Sequence, residues 1–147
     1  MFSLDLLDSD AQSNAGAVMH VVNPETGELA YLDDEQKKPV TISFLGPNSD
    51  AYKKHSIKES RKNQADEKLS KKRKSVDVEI SDDVYEKGAK VIAGRLAAVA
   101  TGWENMPAND KGELIPFSKE KAFELFFKLE ELRTQSDAFF ADKVNFI

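Results

Sequence analysis

Apolar residues recur along this chain with two periods, and the change from one to the other divides it. Residues 17–22 form a short run rich in β-branched residues, closed by the turn cluster Asn23, Pro24, Glu25, Thr26, Gly27. Glu28 to Leu32 predicts a second short strand. Residues 39–45 predict a third, in which Val40, Ile42 and Phe44 alternate with Thr41 and Ser43. That period of two marks a half-buried strand. Gly46, Pro47 and Asn48 stop it. Residues 17–47 therefore predict a small antiparallel β unit, which is stable only when something packs on it.

From residue 48 the period lengthens. Asn48 or Ser49 caps a helix beginning near Asp50 and running to about Lys74, with Asp50 suited to the first turn. Its apolar stripe is sparse: Ala51, Tyr52, His55, Ile57, Ala65 and Leu69. A stripe so narrow predicts a helix that is largely solvated or lies against a partner. Val76, Val78 and Ile80 alternate with acids and break the helical pattern. Ser81, Asp82 and Asp83 then read as a helix start. Val84, Gly88, Val91, Ile92, Leu96 and Val99 follow at helical spacing, and are expected to face the core. Ala93, Gly94, Ala97, Ala98 and Ala100 are small enough for a neighbouring backbone to approach closely.

The stretch Ala100 to Ser118 predicts an ordered connector between two helices. Gly102 is placed to end the first helix, Asn109 to Gly112 signal a turn, and Ser118 is an N-cap for the next helix. Trp103, the chain's one tryptophan, anchors it. Beyond Ser118, Ala122, Phe123, Phe126, Phe127 and Glu130 share one side of a helix, with Leu125, Leu129 and Leu132 adjoining. A last helical pattern runs to about Asp142 through Leu132, Ser136, Phe139 and Phe140. Val144, Phe146 and Ile147 are expected to pack back near Trp103. The predicted fold class is α+β, mostly α-helical. An acidic N-terminal arm (1–16) precedes the β unit (17–47), a charged helix and junction (48–80), and a helical core domain (81–147). In the arm, Phe2, Leu4, Leu6 and Leu7 either pack on the body or lie free as a docking segment, and the chain end favours a mobile arm.

Composition narrows the function. At 147 residues, 40% hydrophobic and 32% charged, the chain suits one domain with a modest core. It has no cysteine, so disulfides, thiolate metal sites and cysteine nucleophiles are excluded. No apolar run approaches the ~20 residues of a membrane-spanning helix, and the acidic first residues are unlike a secretory signal. A soluble protein that works where it is made is expected.

Charge is segregated. Residues 1–52 hold nine acids and two bases, residues 53–74 ten bases and three acids, and residues 75–147 fourteen acids and nine bases. Such polarity favours docking to charged partners or self-association. The basic run 68–74 invites a nucleic-acid reading. It lacks interleaved aromatics for base stacking, and the acidic remainder of the chain would repel a phosphate backbone, so nucleic acid is not an expected partner. His20 and His55 are read as structural residues. There is no phosphate-binding glycine loop, no metal-ligand spacing and no nucleophile with a matching base. The chain is expected to be a non-enzyme without cofactor or metal. Trp103, Phe117, Phe123, Phe126 and Phe127 are the candidate partner-binding residues, and core packing is the competing role for each.

Three segments carry a resemblance: residues 96–105, ending Thr101, Gly102, Trp103, Glu104, Asn105; residues 111–118, from Lys111 and Gly112 to Pro116, Phe117 and Ser118; and residues 141–146, ending Asn145, Phe146. Together with residues 23–27 and 45–52, in the same order, they resemble the tail assembly chaperones of long-tailed bacteriophages. The likeness covers most of the chain in order, except the basic stretch 53–74. It implies a protein of the host cell cytoplasm that binds the helical tape measure protein and assists polymerisation of tail-tube protein around it. Binding a helical client requires an apolar groove that accepts an amphipathic helix. The alternative is a structural minor tail component retained in the virion.

Overall fold

The computed structural model describes residues 4, 8–33, 35–72, 82–108 and 113–146. Its elements are α1 (Ser9–Ala15), β1 (Ala17–His20), β2 (Thr41–Phe44), α2 (Asp50–Lys72), α3 (Asp82–Val99), β3 (Ala100–Glu104), α4 (Lys119–Lys128), α5 (Glu130–Ala141) and a C-terminal 3-10 turn (Lys143–Phe146). The fold is α+β and mostly helical, with five helices and one three-stranded antiparallel sheet among the described residues.

The alternating run forms the middle of that sheet. Strand order is β1-β2-β3, with Ile42 opposite Met19 on one side and Trp103 on the other. Val40, Ile42 and Phe44 are buried, whereas Thr41 and Ser43 are partly open. The expected strand at Glu28–Leu32 is reduced to two isolated bridges, Val22 with Leu29 and Tyr31 with Pro39. The proline lacks an amide proton for a regular ladder. His20 is structural here: its Nε2 lies 2.8 Å from the Ala30 carbonyl, which can only accept, and its ring meets Tyr31 edge-on.

The connector begins differently from expectation. Gly102 does not end a helix; α3 stops at Val99, and residues 100–104 turn extended at once to pair with β2. Phe44 and Ala100 pair across a bulge after the Ser43–Gly102 pair. The positive φ falls instead on Asn105, at 58°, whose side-chain amide donates to the Pro39 carbonyl at 2.9 Å. Asparagine tolerates that conformation better than most side chains. Pairing with an otherwise open edge of β2 outweighs the local preference of Gly102, a tertiary effect on a weak local signal.

Part of the N-terminal arm is docked, since residues 9–15 form a helix held on the body, whereas Leu4 is 77% exposed. The Asp8 carboxylate accepts from the Ala11 amide at 3.0 Å and opens it, and Gly16, at φ 78°, closes it. Ser13 is buried. Its carbonyl accepts from the Gly46 amide at 2.8 Å, and its hydroxyl from the Asn48 amide at 3.1 Å. The start of α2 is held by Ser49, whose hydroxyl accepts from the Tyr52 amide at 3.3 Å, and by Asn14, which accepts from the Asp50 amide. Ser118 caps α4 through the Lys121 amide at 3.0 Å.

One hydrophobic cluster joins the sheet to the helices. Ile42, Phe44, Ala93, Leu96, Val99, Ala100, Ala122 and Phe126 are its innermost described members. The expected face of α3 holds at Leu96 and Val99, which are fully buried, and at Ile92, which packs on the cluster; Ala89, Ala93 and Ala97 complete the inward face, whereas Gly88 and Val91, the latter 53% exposed, lie outside it. The small alanines admit α4, on which Ala122 and Phe126 are completely buried four residues apart. Phe146 folds back as expected but sets its ring against Phe139 and Phe140, with centroids 5.6 and 6.4 Å away. Phe2, Leu6, Leu7, residues 73–81, the turn 109–112 and Ile147 lie outside the described residues, as do the side chains of Ala65, Leu69, Val84, Val144 and the basic run.

Candidate functional site

The five candidate aromatics fall into three sets. Phe126 is wholly buried, with its ring 6.0 Å from that of Phe44, and is a core residue with no surface for a client. Trp103 and Phe117 form an edge-to-face pair at 4.9 Å. The indole Nε1 donates to the Ile115 carbonyl at 2.7 Å, which ties the loop after β3 down to the sheet. Phe123 and Phe127 differ from both. They sit one turn apart on α4, half-buried, with ring planes 6° apart and centroids 6.0 Å apart.

These two rings floor an open groove. One cavity of about 510 Å³ is lined by Phe123 and Phe127 with Glu86, Lys87 and Lys90 of α3. A second of about 460 Å³ shares Phe123, Lys87 and Lys90 and extends to Glu59 and Lys62 of α2, Val91 and Gly94. Both volumes fall in the range of ligand-holding clefts, about 300–1,000 Å³. The walls come from an antiparallel pairing of α2 and α3. His55 lies against Gly94 at one end, and Lys62 joins Lys87 and Lys90 towards the other.

Why α4 presents these rings follows from its sequence. Ala122 and Phe126 point one way into the core, so Phe123 and Phe127, one residue on, flank them at the edge of the buried face. The end of α4 is then fixed from below. Arg133, only 7% exposed, donates from Nη1 to the carbonyls of Phe126 (3.2 Å) and Phe127 (2.9 Å), and its Nη2 meets the Tyr85 hydroxyl. A cation at a helix C-terminus satisfies carbonyls that have no partner within the helix, and complements its dipole. Arg133 thus holds the backbone carrying Phe127.

The groove rim is polar. Glu59 lies 4.0 Å from His55. Lys62, Lys87 and Lys90 form no ion pair with another described residue. On the far side of α4, Glu124 lies between Lys128 at 3.3 Å and Lys121 at 3.4 Å; the Lys128 hydrogen bond foremost, then the charge of Lys121, holds its carboxyl below the ordinary glutamate range. Lys119 donates to the carbonyls of Ala98 and Ala100 where α3 passes into β3, and burial lowers its pKa from the ordinary lysine value.

Sequence reasoning named both floor residues but missed the walls. Lys87, Lys90, Val91 and Gly94 recur at spacings of three, one and three, a second helical face of α3 that was legible as a pattern. Val91, expected in the core, lines this face instead. Arg133 carried no such signal, since its partners are backbone carbonyls.

A scan of protein-family models and searches of curated proteins and solved structures returned no match to this chain. Among the described residues, no helix is long and apolar enough to cross a membrane.

Proposed function

We propose that this chain is a bacteriophage tail assembly chaperone that holds an amphipathic helix of the tape measure protein over Phe123 and Phe127. The observation carrying this reading is the parallel pair of half-buried phenyl rings on the floor of an open, helix-walled groove. An amphipathic helix presents apolar side chains at i and i+4, about 5–6 Å apart, a spacing matched by the 6.0 Å between the ring centroids. Docking such a helix removes apolar area from water on both partners, a gain of roughly 25 cal/mol per Å². The ordered likeness of residues 96–105, 111–118 and 141–146 to such chaperones supports the same role. A long helical client exposes its apolar stripe until tail-tube protein covers it. A groove that binds the stripe reversibly keeps the client soluble and yields it to the growing tube. The site of action is the host cell cytoplasm, and the partners are the tape measure protein and the tail-tube protein.

Co-expression tests this. The chain is produced with the tape measure protein of the same genome, and separately with the tail-tube protein, and complexes are sought by size exclusion. A complex that keeps the tape measure protein soluble, weakened by Phe123→Ser or Phe127→Ser, is the expected result. No complex, together with stoichiometric recovery of the chain in purified particles, would replace the chaperone by a structural tail component.

A further inference from the structure

We infer that the helix held in the groove carries acidic residues along the flank of its apolar stripe, so that the client is selected by charge as well as by shape. This rests on the groove being the client site.

Three cations converge on the rim from two helices: Lys62 from α2, and Lys87 and Lys90 from α3. The two carboxylates beside them, Glu59 and Glu86, leave the rim with a cationic excess, and Glu59 is directed towards His55. Lys87 and Lys90 are exposed, and none of the three lysines is neutralised by another described residue. By sequence, the helix that supplies Lys62 carries five basic and two acidic residues from 61 to 72. The floor, by contrast, is apolar, with Phe123 and Phe127 side by side.

This combination favours one occupant. A bare polyanion would leave the phenyl floor uncovered, and a helix with basic flanks would set like charges against Lys87 and Lys90. An amphipathic helix with Glu or Asp beside its stripe covers the floor and pairs the rim. Rim charges add little affinity singly but act together on encounter rate and on rejection of wrong partners.

The test uses the full chain and three labelled helical peptides. All share one Leu/Phe stripe and differ only in their flanking residues, which are Glu, Gln or Lys. Binding is followed by fluorescence anisotropy at about 50 mM and about 500 mM salt, a change that shortens the Debye length several-fold. The Glu peptide should bind roughly tenfold tighter than the Lys peptide at low salt, with the gap closing at high salt. The double variant Lys87→Gln/Lys90→Gln should reduce the gap to about twofold or less, while Phe127→Ser and, independently, Phe123→Ser should weaken all three peptides alike. Equal binding of the three peptides, still weakened by Phe127→Ser, would overturn charge selection and leave the groove reading standing. Binding of none, or binding indifferent to both phenylalanines, would overturn the groove reading and this inference with it. Displacement of the Glu peptide by a single-stranded oligonucleotide in the Phe127→Ser variant as in the wild type would assign the lysines to nucleic acid. Concentration-dependent self-association lost in Lys87→Glu/Lys90→Glu, with no peptide preference, would assign them to a second copy. Either result overturns the inference.

Discussion

The indole of Trp103 donates to the carbonyl of Ile115 at 2.7 Å, joining strand β3 to the far side of the loop that follows it. The loop is closed again by the Ile115 amide, which donates to the Met106 carbonyl at 2.9 Å. Trp103 is therefore a latch between sheet and loop, and its ring is steadied by Phe117 at 4.9 Å.

Replacing Trp103 by Phe keeps an aromatic ring against Phe117 but removes the donor. The Ile115 carbonyl then loses a part-buried partner, a change of about 1–3 kcal/mol. Urea unfolding followed by far-ultraviolet circular dichroism measures it. An unchanged midpoint would show that water replaces the indole without loss.

Phe126 and Phe127 are neighbours in sequence with opposite roles. Phe126→Ala opens a cavity in the innermost core and is expected to destabilise by about 3–5 kcal/mol. Phe127→Ala removes a half-buried ring at the groove floor and should destabilise distinctly less. Thermal unfolding of the two variants side by side checks the order, and a larger loss at Phe127 would place it in the core.

Arg133→Met removes the guanidinium beneath α4 while keeping much of its stem. The carbonyls of Phe126 and Phe127 lose a charged donor, which destabilises by about 1.5–3 kcal/mol. The effect should be local first. Hydrogen exchange at residues 125–129 should accelerate more than exchange in β2, and uniform acceleration across the chain would deny Arg133 a local role.

The parts of the fold that were legible in sequence are those whose causes are local. The alternation through Val40, Ile42 and Phe44 needs no distant partner to define a strand, and Ser118 needs only the amide three residues on. Strand β3 was hidden because its partner β2 lies about sixty residues upstream, while Gly102 offered a competing local signal. Helix α1 was hidden for a related reason. It is held through the backbone and hydroxyl of Ser13, and no apolar stripe announces that contact. Periodicity identifies Ile92, Leu96 and Val99 on the inward face of α3 but not Ala89, Ala93 and Ala97, since alanines and larger residues compete for the inward positions; Val91 lies outside the core for that reason. At the candidate site the same limit applied to α4, where Phe126 and Phe127 belong to one stripe and only packing separates them.

Acid should weaken the exposed ion pairs of Glu124 on α4, a small effect because surface pairs are screened by solvent. The hydrogen bond from Lys128, then the charge of Lys121, holds the Glu124 carboxyl below its ordinary value, so the folded chain gives up that proton at lower pH than the unfolded chain. Between the two values the unfolded state binds more protons, and stability rises with pH. The contribution is complete above the ordinary glutamate range and fades as pH falls through the lowered value. Carbon-detected titration of the Glu124 carboxyl should show its midpoint moving up towards the ordinary value in Lys128→Met. A midpoint identical in the two proteins would discount the pair.

Gly46 sets how closely α1 can lie on the body. A Cβ built there would stand 2.5 Å from the Ser13 hydroxyl oxygen and 2.9 Å from the Ser13 Cα, so an alanine at this position must displace backbone and not merely a side-chain tip. Gly46→Ala should lift α1 and break the bond from the Gly46 amide to the Ser13 carbonyl, destabilising by about 1–3 kcal/mol as overpacking typically does. Hydrogen exchange reads the local effect, with faster exchange in residues 9–15 than in α5. Ser13→Gly in the same background removes the hydroxyl and Cβ contacts and should restore part of the protection. Wild-type exchange rates in Gly46→Ala would show that α1 accommodates the methyl group by a small shift, and that the contact between Ser13 and Gly46 does not hold the N-terminal helix in place.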